Sequence, residues 1–70
     1  MKTATFYIDQ EYKDSVEDLG FKTEDISPHT FKIKIENVDP NAISHLGSDW
    51  GDIATYYGLQ YESIVYFSID

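Results

Sequence analysis

Seventy residues with thirteen carboxylates, five lysines and no arginine or cysteine give a formal charge of −8 and room for one small domain, a size that buries only about 60 % of the surface its unfolded chain exposes. The lack of cysteine excludes disulfides and thiolate zinc sites, and an acidic chain without arginine is repelled by nucleic acid and anionic lipid. No run approaches the roughly 18 apolar residues of a membrane span, and 41 % hydrophobic content with six tyrosines, four phenylalanines and one tryptophan argues against disorder.

Residues 3–8 alternate in the strand manner. Ala4, Phe6 and Ile8 share one face, and Thr3, Thr5 and Tyr7 the other. Tyr12, Val16 and Leu19 then recur at helical spacing, which predicts a helix over residues 10–19. Asp9 is its N-cap, and Glu11 suits the first turn. Gly20 suits the left-handed position past the end, with Phe21 folding back over Val16. Residues 22–28 read as a polar connection with Ile26 as a lone inward anchor, and Pro28 keeps Ser27 out of helical space.

Residues 30–38 give the cleanest alternation. Phe31, Ile33 and Ile35 face a core, and Thr30, Lys32, Lys34 and Glu36 face away. Asp39-Pro40 is a helix start, a capping carboxylate followed by proline at the first helical position. Ile43, Leu46, Trp50, Ile53 and Tyr57 continue as a helical stripe interrupted by Gly47 and Gly51; the economical reading is a break at Gly47, with a second helix capped by Ser48 and stopping before Gly58, and a single kinked helix is the alternative. Residues 60–69 form a last strand with Tyr61, Val65, Phe67 and Ile69 on one side and Ile64 and Tyr66 on the other; apolar residues on both sides predict a central position.

The expected fold is a single α+β domain over residues 1–70. Its order is β-α-β-α-β, with a three-stranded sheet, crossover connections and the helices packed on one face. The opposite face is open and carries Thr5, Tyr7, Lys32, Lys34, Ile64 and Tyr66.

Charge is sorted along the chain. Residues 9–25 hold seven acids and two lysines, a net of −5; residues 26–38 hold two lysines and one acid, a net of +1; residues 39–70 hold five acids and no lysine, again −5. An acidic helical side and a mildly basic, tyrosine-bearing sheet face follow.

Catalytic chemistry finds little footing. His45, Asp49 and Asp52 share helical spacing, but the set is short of a full metal-ligand complement. His29 beside Pro28 has no motif to supply a partner. Glu17/Asp18 and Glu24/Asp25 are sequence neighbours, whose side chains on a helix point apart. No phosphate-cradling or nucleophile-elbow motif is present. The expectation is a protein that is not an enzyme, carries no cofactor or metal, and works by binding.

Two binding readings follow. In the first, Asp14, Glu17 and Asp18 on the first helix, with Asp49 and Asp52 on the second, dock on a basic partner. Such a partner is a nucleic-acid-binding protein, and the acids stand in for phosphates, which duplex DNA spaces at about one charge per 1.7 Å of axis. In size and charge the chain is similar to the small phage anti-restriction and anti-CRISPR inhibitors. That resemblance implies an inhibitor acting as a DNA mimic; the acidity argues against direct contact with nucleic acid or membrane, and the lack of cysteine fits a cytoplasmic, reducing compartment. In the second reading the acids only solubilise, and the open sheet face or an edge strand, with Tyr7, Tyr56 and Tyr66 as aromatic contacts, pairs with a second copy or a larger complex.

Overall fold

Four antiparallel strands and two short helices enclose one core in the structure, a computed structural model that describes residues 2–39 and 50–70, the side chains of Trp50 and Asp52 excepted. Period-two alternation makes β1 (Ala4–Asp9) and β3 (Thr30–Ile35), with β2 (Glu24–Ser27) between them in the chain. In β1 and β3 alternate residues are buried: Ala4, Phe6 and Ile8 face Ile35, Ile33 and Phe31 across an antiparallel ladder. A 3-10 turn (Gln10–Tyr12) leads into α1 (Lys13–Asp18), and Asp9 caps the turn by accepting the Glu11 N–H at 3.0 Å. Gly20 takes the left-handed conformation after α1, with φ +98°, and its N–H closes the helix on the Glu17 carbonyl. After β3 the described chain resumes with α2 (Trp50–Tyr56), then a 3-10 turn (Tyr61–Ser63) and β4 (Ile64–Ile69).

The core is a single cluster. Val16 of α1, Ile53 and Ala54 of α2, and Leu59 pack onto the buried side of β1 and β3, so both helices cover one face of the sheet. Tyr12, Phe21, Tyr57, Ile64, Phe67 and Ile69 close its margins.

Several expectations are corrected. The sheet has four strands, in the order β2-β3-β1-β4, where three were expected. The added strand lies in the polar connection, and all four of its residues are exposed, so it has no apolar alternation to betray it. It forms because Pro28 and His29 turn the chain back and pair Ser27 with Thr30. Ile26 is correspondingly 44 % exposed rather than an inward anchor.

Leu19, read as part of the helical stripe, is also exposed; it lies beyond the last turn of α1 and flanks Gly58 instead. β4, read as central, is an edge, and β1 lies between β3 and β4. The register slips between Tyr7/Ile8 and the facing residues, so Ile8 pairs with Ile64 while Tyr7 pairs with Tyr66. This bulge absorbs Val65 and turns Ile64 toward the core, so strict alternation assigned both residues to the wrong sides. Finally, β1 and β3 are antiparallel neighbours rather than strands related by a crossover, and in the four-stranded order the links from β1 to β2 and from β3 to β4 each pass over one intervening strand. The start at Asp39-Pro40, the break at Gly47, Ser48 and the stripe residues Ile43 and Leu46 involve positions outside the described residues.

Candidate functional site

The outward side of α1 carries the acids. Val16 anchors the helix to the core, which leaves Asp14, Glu17 and Asp18 on exposed turns. Positions 14 and 18 lie one above the other, and position 17 is adjacent. Glu17 accepts a hydrogen bond from the Thr23 hydroxyl at 2.9 Å. Topology adds carboxylates that sequence reasoning left out. Because β4 runs beside β1, Glu62 comes back next to Asp9 and Glu11 around the ring of Tyr12. Burial against the core, and then the charges of Glu11, Glu62 and Asp9, raise the Tyr12 hydroxyl above its ordinary value. The local sequence around Glu62 carries no sign of this neighbourhood, since the pairing that creates it is long-range.

Asp52 lies within α2, whose side chain at that position is not described, and Asp49 and His45 fall outside the described residues.

One ion pair starts on this helix, where Lys13 also feels the charges of Glu17 and Asp14, and the other lies on the sheet. Among the described residues, Lys13 meets Asp25 at 2.9 Å and Lys32 meets Glu24 at 3.7 Å, so the two acids of β2 are the ones balanced. Asp25 also accepts a hydrogen bond from the Gln10 amide at 2.9 Å. That bond, and then Lys13, hold its carboxyl below the ordinary aspartate value, and Asp25 in turn raises Lys13. Gln10 reaches the Ser27 and Thr30 carbonyls as well, clamping the β2–β3 hairpin from the far side of the chain.

The open sheet face is built by cross-strand register. Glu24, Lys32, Tyr7 and Tyr66 form one row across all four strands, and Lys34, Thr5 and Ser68 form the next across three. The Tyr7 and Tyr66 rings meet at 5.5 Å with planes tilted by 60°, a favourable edge-biased contact. Tyr66 and Val65 remain 63 % and 64 % exposed. A groove of about 600 Å³ runs past Lys22, Lys32 and Lys34, with Glu24 and Glu36 among its walls.

Tyr56 is half exposed, yet its hydroxyl donates to Asp39 at 2.9 Å and its ring packs edge-on against Tyr57 at 5.1 Å. The hydrogen bond to Asp39, then its charge, raises the Tyr56 hydroxyl. Tyr57 accepts the Asp39 N–H at 3.0 Å. Tyr56 and Tyr57 therefore tie α2 to the exit from β3. No described helix is long and apolar enough to cross a membrane. No protein-family model, curated protein or solved structure matches the chain.

Proposed function

We propose that the chain is a non-catalytic binding protein that docks through its acidic helical side on a basic partner, a nucleic-acid-binding protein that it occupies in place of nucleic acid. The observation that carries this reading is the sorting of charge. The described ion pairs use the acids of β2, while Asp14 and Asp18 have no ion-pair partner among the described residues and Glu62, Asp9 and Glu11 draw together beside the same helix. Asp14, Glu17 and Asp18 set three charges within about 6 Å of helix axis, a density of the order of duplex DNA's one per roughly 1.7 Å. Similarity in size and charge to small phage anti-restriction and anti-CRISPR inhibitors supports the same assignment. Asp49 and Asp52 extend the acidic surface in this proposal.

The test is capture followed by competition. The immobilised chain is expected to retain a nucleic-acid-binding protein from lysate, and duplex DNA is expected to displace it. Association should slow steeply with ionic strength. Glu17→Lys with Asp18→Lys should slow it at least tenfold at low salt, and Tyr66→Ala should leave it unchanged. Loss of binding with Tyr66→Ala, and none with the charge reversals, would overturn the reading. A second reading, assembly through the sheet, is favoured by the exposed Val65 and Tyr66 at its margin.

A further inference from the structure

We propose that β4 is a self-recognition edge, through which two copies of the chain pair antiparallel about a two-fold axis and join their four-stranded sheets into one. This deepens the sheet-assembly reading and is independent of docking through the acidic side.

The two edges of the sheet are unlike. β2 has four residues, two of them the carboxylates Glu24 and Asp25, and ends against Pro28. Short length, charge and proline are the features that blunt an edge against pairing. β4 has six residues, Ile-Val-Tyr-Phe-Ser-Ile, without a charge, proline or glycine among them. Its inner side is satisfied by β1, and no described strand lies on its outer side.

The main-chain groups show what that outer side offers. Thr3 and Asp70 exchange hydrogen bonds, at 3.4 and 3.1 Å, so the main chain of Asp70 faces the strand containing β1. In an antiparallel ladder this direction alternates residue by residue. Ser68 and Tyr66, opposite Thr5 and Tyr7, therefore also face inward. Phe67 and Ile69 direct their N–H and C=O groups outward, where a partner strand is added.

The occupant is a second copy because the strand is compatible with itself. An isologous interface places each segment against its own sequence. In a chain of charge −8, two copies meet with least repulsion along an edge without carboxylates; β4 has none, whereas β2, the other edge, has two in four residues. With Phe67 on the axis, Tyr66 lies opposite Ser68 and Ile64 opposite Asp70, so no two acids face each other. A basic peptide, by contrast, finds no carboxylate within β4. Pairing also withdraws water from Val65 and Tyr66, which with Tyr61 are the most exposed large apolar positions among the described residues. A six-residue edge buries area at the low end for specific interfaces, so the dimer is concentration-dependent.

Sedimentation equilibrium of the intact chain from micromolar to millimolar concentration, with amide hydrogen exchange read residue by residue, tests this. The mass is expected to rise from 8.1 kDa toward twice that value. As it rises, the Phe67 and Ile69 amides should slow by about tenfold or more while Ser68 is protected throughout. Ile69→Pro removes an outward donor that the ladder to β1 does not use, and should hold the chain monomeric. If this variant does not fold, exchange in the unaltered chain decides. A monomer throughout, with fast Phe67 and Ile69 amides, would overturn the proposal. So would a dimer in which those amides stay fast, or one that Tyr66→Ala dissociates and Ile69→Pro leaves intact, which would assign assembly to the open face.

Discussion

Asp25 holds more than its exposed position suggests. Its carboxylate joins Gln10 at the start of the 3-10 turn and Lys13 of α1 to the edge strand β2, tying three successive elements together. Both pKa directions give a signed expectation. A carboxyl lowered on folding contributes stability that is full above its unfolded value and is lost as pH falls through the lowered folded value. A lysine raised on folding contributes below its unfolded value and loses it as pH rises through the raised one. The stability gap between the native chain and Asp25→Asn should therefore be widest at neutral pH. It should narrow below about pH 4 and again above about pH 10.4. Denaturant midpoints across pH check this; a gap constant from pH 2 to 11 would detach the contact from stability. The capping role of Asp9 and the left-handed Gly20 were legible because each depends on a few neighbouring residues. The clamp by Gln10 was not, since its partners lie fifteen to twenty positions away.

At the scale of elements, α2 ends where the chain turns back through Gly58, whose φ is +83°. The Gly58 N–H closes on the Thr55 carbonyl at 3.1 Å and the Leu59 N–H on the Ala54 carbonyl at 2.8 Å, which satisfies the last turn and delivers Leu59 to the core. A Cβ built there meets Leu19 Cδ2 at 3.6 Å, an ordinary contact, so sterics do not forbid alanine. The left-handed backbone does penalise it. Gly58→Ala should cost about 1–2 kcal/mol, or roughly 4–8 °C of Tm per kcal/mol in a domain of this size, and unchanged or higher stability would show that the helix end relaxes. The strands differed in legibility for a related reason. β1 and β3 bury alternate residues against a facing element, and burial imposes a period that can be read. β2 buries nothing, and its cause is the Pro28–His29 turn and its pairing with β3. β4 was found, but its inserted Val65 turned regular alternation into a false sign of a central strand.

For the whole molecule, the two proposed contacts, through the acidic side and through the sheet edge, should respond to salt in opposite directions. Seven acids against two lysines in residues 9–25 and five against none in residues 39–70 leave a surplus that the described ion pairs do not balance. The surplus would attract the proposed basic partner over distances comparable to the Debye length, which shrinks from about 30 Å at 0.01 M salt to about 10 Å at 0.1 M. Docking through α1 should therefore weaken as salt rises, chiefly by slower association. Two copies of the chain repel each other with the same surplus, and screening removes that repulsion while leaving the uncharged β4 contact in place. Dimerisation should strengthen over the salt range that weakens docking. The folded monomer should gain stability there too, because compaction also brings like charges together. Partner association rates, sedimentation mass and Tm measured along one series from 0.01 to 0.5 M sodium chloride give the comparison. The expected pattern is a falling rate beside a rising mass and a rising Tm. A partner rate insensitive to salt would remove the acidic side from docking, and a mass that falls with salt would remove the uncharged edge from self-association, each without bearing on the other.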